Sequence, residues 1–220
     1  MRNVLVDGQI MLADYKKAVQ ELSSVQQGSS LDSLSRWEVP PEGQLRLNVD
    51  ASFNEIDNRG GIGGVIRNHL GQPLVAFGNS ISMPESVVMG ELLAIKEGIR
   101  IVRDKDFKQV IISSDFLFVG QAVTESYKDL SYVGVCAKEI DTMCVDLGIL
   151  SVFHVRRSAN SVAHYISKFA CFSPTPFSWV SENFPSWLIT LVMNDISQKN
   201  YKFALVKKKI CVMLNYTVRN

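Results

Sequence analysis

Three acidic residues, Asp50, Glu91 and Asp115, occupy positions where the local sequence does not favour a carboxylate. Asp50 lies in the middle of an alternating segment, and Asp is depleted in strand interiors. Glu91 stands three residues after Val88 and four before Ile95, on or beside the apolar stripe of a helix. A buried charge there is costly unless it is paired or bound to a cation. Asp115 directly follows a short apolar run, and in sheets with parallel strands ligand sites gather at the carboxyl ends of strands.

Each acid also has an ordinary structural interpretation. Asp50 can be a solvated strand residue, Glu91 a stripe-edge side chain that reaches water, and Asp115 the N-cap of a following helix. Three clustered carboxylates, however, repel one another, and hard cations such as Mg²⁺ accept oxygen ligands of this kind. Two-metal nucleases use such clusters, with one ion activating water and the other stabilising the leaving oxygen. The acids therefore predict a divalent-cation site if the fold brings them together.

The first of these acids lies on a predicted strand. From Leu45 to Phe53 apolar and polar residues alternate, which indicates a strand with Asp50 on its polar side. Two further short segments, GGIGGVIRN (60–68) and QPLVAFGNSI (72–81), follow after turn signals. Three short strands joined by tight turns predict an antiparallel meander.

The remaining elements alternate between helices and strands. An amphipathic helix from Ser86 to Asp104 is predicted to carry Glu91. Apolar runs at 109–114 and 148–155 are typical of strands that are buried on both faces. Helical segments are predicted near 116–126 and 131–147 and after Ser158, which can cap the last helix. The order β-β-β-α-β-α-α-β-α predicts an α/β fold with a mixed five-stranded sheet, three antiparallel strands plus two parallel, and helices on both faces.

The chain divides into four predicted parts. Residues 1–43 hold an amphipathic helix and a Ser-rich linker, and residues 44–172 hold the α/β domain. Residues 173–198 form a short Trp-containing extension in which Pro185 opens a helix. The tail, residues 199–220, alternates between basic and apolar residues, and its structure is not assigned.

Composition limits the possible functions. The net charge of +1 provides no global basic field, so any contact with nucleic acid must come from local patches. Four cysteines without a CxxC pair, with only three histidines, disfavour a zinc site and indicate reduced thiols in an intracellular protein, with nucleus and cytoplasm both open. The N-terminus makes a poor secretory signal, and no apolar stretch approaches the roughly 20 residues of a membrane span. We expect no membrane partner and assume a monomer.

Five segments occur in a recognisable order, namely LRLNVDASF (45–53), GGIGGVIRN (60–68), GELLAIKEG (90–98), VIISSDF (110–116) and FHVRRSANSVAHYISKFA (153–170). Together they resemble the successive signatures of the type 1 ribonuclease H fold. The likeness is greatest to the plant group related to the ribonuclease H segment of non-LTR retrotransposons and their reverse transcriptases. It covers residues 44–172, and the Trp37–Pro41 lead-in and Trp187 also fit that group.

The resemblance implies a function as well as a fold. It implies nucleic-acid binding and metal-dependent endonucleolytic hydrolysis of the RNA strand of RNA–DNA hybrids by a two-metal mechanism. The metal ligands would be Asp50, Glu91 and Asp115, and the cofactor Mg²⁺ or Mn²⁺. Asp50 would bridge both ions, and Glu91 and Asp115 would complete one site. His164 aligns with the family's fourth carboxylate and would be the fourth catalytic residue.

His164 is the first departure from the family's pattern, because the family usually has an Asp at this place on the last helix. A neutral imidazole contributes no negative charge and suits Zn²⁺ or Mn²⁺ better than Mg²⁺. The substitution therefore weakens catalysis without necessarily abolishing it. The alternative is a surface or half-buried helix histidine with no role in the site.

The loop before the last helix is the second departure. It is shortened to RRSAN (156–160) and lacks the histidine that some bacterial members carry there. Arg156, Arg157 and Asn160 are candidate nucleic-acid contacts, and a solvated basic turn is the alternative. Four glycines permit close approach of a phosphate or sugar, or else serve a hairpin; these are Gly60, Gly61, Gly63 and Gly64.

Three functions compete at this stage. The leading one is a metal-dependent endonuclease of the ribonuclease H type. The second is a catalytically weak or inactive nucleic-acid-binding module that has kept the fold and three acids. The third is an interaction domain that uses the Trp-containing extension and the N-terminal helix as partner surfaces.

Overall fold

The computed structural model describes residues 36–84, 86–116, 131–180 and 183–197. The predicted N-terminal helix and linker, the predicted helix near 116–126 and the tail fall outside the described residues, so those predictions stay untested.

The predicted meander is present. Strand β1 (Leu45–Asn54) pairs antiparallel with β2 (Arg59–Arg67), and β2 pairs antiparallel with β3 (Pro73–Ser82). The alternating pattern of β1 places its apolar residues on one face of the sheet and its polar residues, including Asp50, on the other. Asp50 lies opposite Gly63 of β2 in this register.

A helix and a parallel strand follow the meander. Helix α1 spans Val87–Asp104, and its N-cap is Ser86, whose hydroxyl accepts a hydrogen bond from the backbone nitrogen of Met89 at 3.2 Å. Strand β4 (Val110–Ser114) is fully buried and pairs parallel with β1. The parallel pairing places the carboxyl ends of β1 and β4 at the same edge of the sheet.

The next helix and strand reach the edge of the sheet. Helix α2 (Tyr132–Leu147) ends at Gly148, whose φ of 62° is the left-handed conformation that favours glycine. Strand β5 (Ser151–His154) pairs parallel with β4. The prediction that this run is buried on both faces was wrong, because β5 is an edge strand and Phe153 is 50% exposed.

A short 3-10 turn (Arg157–Ala159) leads into α3 (Ser161–Phe172). The N-cap position belongs to Asn160 instead of the expected Ser158, and the Asn160 side chain makes no capping hydrogen bond. Its amide is therefore available for contacts elsewhere in the fold.

The C-terminal extension contributes a sixth strand. Strand β6 (Phe177–Val180) pairs antiparallel with β3, and α4 (Ser186–Ser197) follows directly after Pro185. The sheet order is β5-β4-β1-β2-β3-β6, which confirms the mixed α/β fold class and corrects the expected strand count from five to six. Strand β6 was missed because its four residues become a strand only by pairing with β3.

Apolar clusters cover both faces of the sheet. Helices α1 and α2 pack on one face, and the buried members of this cluster include Leu47, Val49, Leu92, Ile95, Ile99 and Ile140. Helices α3 and α4 pack on the other face, where the cluster includes Val65, Val162, Ile166, Leu188, Leu191 and Val192. No helix in the described part of the chain is long and apolar enough to cross a membrane.

Candidate active site

The three acids converge on one cleft. Asp50 projects from β1, Asp115 directly follows β4, and Glu91 lies in the second turn of α1. All three line a cleft of about 350 Å³ at the carboxyl ends of the two parallel strands. His164 of α3 lines the same cleft. The fold therefore brings together the four residues that the sequence singled out.

Asp50 is the most firmly held of the acids. The residue is 2% exposed, and one of its carboxylate oxygens, Oδ2, has several protein contacts. Ser167 donates its hydroxyl to Oδ2 at 2.6 Å, and His164 Nδ1 lies 3.1 Å from the same atom. Ser52 donates more weakly at 3.5 Å and lies 2.6 Å from Ser167. Ser167 was not predicted from the sequence, because a small polar residue facing a sheet gives no distinct pattern.

Glu91 carries the clearest electrostatic signal. It is 5% exposed, and its two oxygens accept from the Ala51 backbone nitrogen at 3.4 Å and the Ser114 hydroxyl at 3.2 Å. Burial raises the pKa of Glu91 to about 8, and the negative charges of Asp50 and Asp115 add to the effect. A like-charge cluster out of water favours protonation in this way.

Asp115 is held from the opposite side of the cleft. The side-chain amide of Asn160 donates to Asp115 Oδ1 at 2.7 Å. Burial, and then the charge of Asp50, raise the pKa of Asp115 above its usual range, while the Asn160 hydrogen bond opposes the rise. Asn160 therefore lies behind the acid cluster as a donor.

The donor set fits a hard divalent cation in its chemistry. Burial is the largest cause of the raised pKa values of Glu91 and Asp115, and charge repulsion within the cluster adds to it; a bound cation would remove that repulsion. Within the described residues, however, no three His, Cys, Asp or Glu side chains are arranged as a preformed metal site. The acids therefore fit a cation in their chemistry, while the arrangement of their side chains is not that of a preformed metal site.

The chain matches the model of the family described as "Reverse transcriptase-like" over residues 48–170. It belongs to this family. The matched region runs from the start of β1 through most of α3 and contains every residue of the acid cluster. A search among curated proteins found no significant match.

The fold of this reverse transcriptase-like chain is that of ribonuclease H1. The structure is similar to RNase H1 from the halophilic archaeon Halobacterium salinarum NRC-1, with a TM-score of 0.50 and 19% identity, covering 58% of this chain and 97% of that chain. LC11-RNase H1, isolated from compost by a metagenomic approach, has also been solved in complex with an RNA/DNA hybrid. That complex gives a TM-score of 0.52 and 17% identity, covering 58% of this chain and 96% of that chain. At these identities the similarity shows the fold alone.

Within this reverse transcriptase-like fold, His164 contacts the central acid directly. His164 Nδ1 lies 3.1 Å from Asp50 Oδ2, and a carboxylate oxygen there accepts from the tautomer that carries its proton on Nδ1. One guanidinium nitrogen of Arg157 lies 3.2 Å from both ring nitrogens of His164. His164 therefore contacts both the Asp50 carboxylate and the Arg157 guanidinium group.

Two basic residues, Arg157 and Lys168, line the same cleft. Arg157 was predicted from the sequence, and Lys168 was missed although it lies one helical turn after His164 on α3. Arg156 is exposed, and the structure does not place it in the cleft lining. The cationic rim can attract a phosphate backbone towards the acids.

The four glycines of β2 lie away from the cleft in packing contacts. A Cβ on Gly61 would collide with the Ser167 carbonyl oxygen, and one on Gly63 would lie 2.7 Å from the Ser167 nitrogen. Added Cβ atoms on Gly60 and Gly64 would lie 2.9 Å from Ile81 and 2.7 Å from Phe77. Their small size allows α3 and neighbouring side chains to pack closely on β2, so we leave them out of the proposed site.

Proposed function

We propose that this protein is a metal-dependent endonuclease that hydrolyses the RNA strand of RNA–DNA hybrids. The supporting observation is the convergence of Asp50, Glu91 and Asp115 on one cleft, where burial, and then the charges of Asp50 and Asp115, raise the pKa of Glu91 to about 8. A cluster of this kind is costly by itself and becomes favourable around a divalent cation. Perturbed acids gathered in a cleft are also a recognised mark of functional sites.

Asp50, Glu91 and Asp115 would hold Mg²⁺ or Mn²⁺. Two such cations, when bound, would supply activation of water and stabilisation of the leaving oxygen. Ser167 fixes the rotamer of Asp50, and Asn160 fixes that of Asp115. These hydrogen bonds hold the carboxylates in one arrangement before substrate arrives.

The basic rim indicates a polyanionic substrate. Arg157 and Lys168 flank the acids and would contact phosphates, which positions a nucleic-acid strand without reading its sequence. The choice of an RNA–DNA hybrid rests on the sequence motifs and on the shared fold, since LC11-RNase H1 has been solved with such a hybrid.

The direct test is cleavage of a hybrid with a labelled RNA strand, in Mg²⁺ or Mn²⁺, at about pH 6 to 9. We expect endonucleolytic products that depend on the cation. Asp50→Asn should reduce the rate about a hundredfold or more. Asp104→Asn, an exposed carboxylate at the end of α1, is the matched control and should cleave like the parent. No cleavage under any of these conditions would reject the proposal.

A second function is favoured by one observation, the contact between His164 and Asp50. A histidine held on the central acid occupies the place where the family carries a fourth carboxylate. On this alternative the chain binds hybrid or duplex RNA without cutting it. Binding would be salt-sensitive and unchanged by Asp50→Asn. Any cation-dependent cleavage by the parent would exclude this alternative.

We also propose that the chain belongs to the plant group related to the ribonuclease H segment of non-LTR retrotransposons. The support is the order of its motifs, together with the Trp37–Pro41 lead-in and Trp187. A phylogenetic tree of ribonuclease H domains from retrotransposons, plants and bacteria tests this placement. Grouping of the chain with the bacterial enzymes would contradict it.

A further inference from the structure

A chain of buried hydrogen bonds connects α4 with the acid cluster. Asp195 of α4 accepts from Arg67 Nη1 at 2.9 Å, and Arg67 Nη2 donates to Asn48 Oδ1 at 3.2 Å. Asn48 Nδ2 donates to Asn160 Oδ1 at 3.0 Å, and Asn160 Nδ2 donates to Asp115 Oδ1 at 2.7 Å. We use the name polar relay for four residues, namely Trp37, Asn48, Arg67 and Asn160.

Trp37 joins the polar relay from the N-terminal side. Its indole nitrogen donates to Asn48 Oδ1 at 2.8 Å, and the Arg67 guanidinium carbon lies 3.6 Å from the centre of its ring. Asn48 and Arg67 are 0% exposed, Asn160 is 1% exposed and Trp37 is 3% exposed. Because water does not reach these groups, their hydrogen-bond partners must come from the protein, and of the Arg67 nitrogens Nη1 and Nη2 have such partners while Nε has none among the described residues.

Trp37 and Arg67, which both donate to Asn48, fix the direction of the hydrogen bonds in the polar relay. An asparagine amide can turn by half a rotation and exchange its donor and acceptor ends. Trp37 and Arg67 can only donate, so the oxygen of Asn48 must face them. The nitrogen of Asn48 then faces Asn160, and the oxygen of Asn160 faces Asn48. The nitrogen of Asn160 is therefore directed at the two remaining acceptors.

Those two acceptors are Asp115 Oδ1 and the backbone carbonyl of Val49, the latter at 2.8 Å from Asn160 Nδ2. If Asn160 were reversed, its oxygen would face two other oxygens, and Asp115 would lose its donor. Groups far from the cleft thus determine whether Asp115 meets a hydrogen-bond donor or a repelling oxygen.

We propose that Trp37, Arg67 and Asn48 are positioning residues, which act through Asn160 to hold Asp115 in the orientation that binds the cation. This inference rests on the proposed function, because it assumes that Asp115 is a metal ligand. It adds that the ligand's orientation is set by the lead-in segment, β2 and α4 of the same chain. Hydrogen-bonded partners behind a ligand typically change metal affinity tenfold to a hundredfold.

Asn48→Asp reverses the polar relay while keeping its shape. The new carboxylate still accepts from Trp37 and Arg67, and in its ionised form it has no hydrogen to donate to Asn160. Its second oxygen replaces the amide nitrogen, so Asn160 must turn to donate to it and then presents an oxygen to Asp115. If charge alone mattered, the extra negative charge would tighten cation binding. The polar relay instead predicts weaker cation binding.

The experiment measures Mn²⁺ affinity by calorimetry or electron paramagnetic resonance, with melting temperature and hybrid cleavage recorded on the same samples. Asn48→Asp is expected to weaken Mn²⁺ binding about tenfold to a hundredfold. Its melting temperature should be lower than that of the parent, because the variant buries a charge and turns the Asn160 oxygen towards two other oxygens. The matched control is Asn68→Asp in the β2–β3 turn, where the asparagine also bonds through its side chain but is not connected to Asp115. It should leave Mn²⁺ affinity unchanged.

Trp37→Phe covers the case in which Asn48→Asp does not fold. It removes one donor to Asn48 and keeps an aromatic ring over Arg67, so we expect a smaller loss of Mn²⁺ affinity. Unchanged or tighter Mn²⁺ binding in the folded variants overturns the polar relay, as does a parent that does not bind Mn²⁺ at all. If the parent binds Mn²⁺, the variants bind it more weakly and none of them cuts the hybrid, the relay stands and the proposed nuclease fails.

Discussion

Glu91 is 5% exposed, and replacing it with Gln removes a carboxyl group that lies beside two other acids. The pKa of Glu91 is about 8 in the folded protein, compared with an ordinary value of 4.5. Between these pH values the unfolded chain has released the proton while the folded chain keeps it. The free energy of unfolding therefore falls as the pH rises from about 4.5 to about 8, and the loss is complete above that.

The size of the effect follows from the same two values. A difference of about 3.5 pKa units corresponds to about 5 kcal/mol. Because the charges of Asp50 and Asp115 contribute to this rise in the pKa of Glu91, part of the cost belongs to the whole cluster, and we expect about 2 to 5 kcal/mol. Glu91→Gln keeps the shape of the side chain and removes this penalty. Without divalent cations, the variant should be more stable than the parent by that amount at about pH 9 and nearly equal to it at about pH 5.

Urea unfolding followed by tryptophan fluorescence, in EDTA, measures this difference at each pH. Glu97→Gln is the matched control, because Glu97 is on the same helix and forms a surface ion pair with Arg100. An exposed pair of this kind contributes about 0 to 1 kcal/mol, so its removal should have little effect on the pH dependence. If parent and Glu91→Gln show the same slope of stability with pH, the electrostatic account of the acid cluster is refuted.

Other perturbations probe the remaining parts of the site. Gly63→Ala should destabilise the fold by about 1 to 3 kcal/mol, since the new Cβ would lie 2.7 Å from the Ser167 nitrogen, and an unchanged melting temperature would contradict this. His164→Asp should tighten Mn²⁺ binding on the order of tenfold by adding a carboxylate to the cluster, as calorimetry can measure, and weaker binding would show that the histidine does not stand in a metal position. Mg²⁺ should raise the parent's melting temperature at about pH 9 and much less at about pH 5, where Glu91 holds its proton; equal shifts would argue against binding at the acid cluster. Lys168→Ala should weaken hybrid binding and reduce the salt slope by about one, whereas Arg156→Ala, outside the cleft, should change neither; the reverse pattern would place the nucleic acid elsewhere.

Local patterns were sufficient for the main fold and for the candidate acids. The alternation in β1 marked the polar face that carries Asp50, and the apolar stripe of α1 made Glu91 conspicuous. Both signals arise within one element, where spacing and burial are directly related. The convergence of these acids with Asp115 followed from the order of the elements, because a parallel strand beside β1 must end at the same edge.

The parts that escaped prediction depend on distant pairing. Residues 177–180 form β6 by pairing with β3, where Phe77 lies opposite Ser178. Nothing within these four residues indicates that partner. Arg67 ends a predicted strand and has the sequence character of a surface residue. Its burial depends on Asp195, which comes 128 residues later in the chain.

Asn160 and the β2 glycines show a second limit of prediction from the sequence, because one residue type can serve either a ligand or the packing of the fold. The sequence offered Asn160 as a phosphate contact, and the structure directs its amide into the protein. Glycines that allow a ligand to approach and glycines that allow a helix to approach have the same sequence signal. Only the position of α3 on β2 distinguishes the two possibilities.

The ion pair between Arg67 and Asp195 has a consequence for how the protein is made. During synthesis, Arg67 is translated 128 residues before its counter-ion, a delay of roughly 6 to 26 s at typical elongation rates. Until α4 is complete, burying Arg67 leaves a charge without its partner, which costs about 3 to 5 kcal/mol. Stable burial of Arg67 therefore depends on α4, which links the folding of the central sheet to that of the C-terminal extension. A nascent chain that stops at Phe172 would contain Asp50, Glu91 and Asp115, but it would lack Asp195, the counter-ion that stabilises buried Arg67.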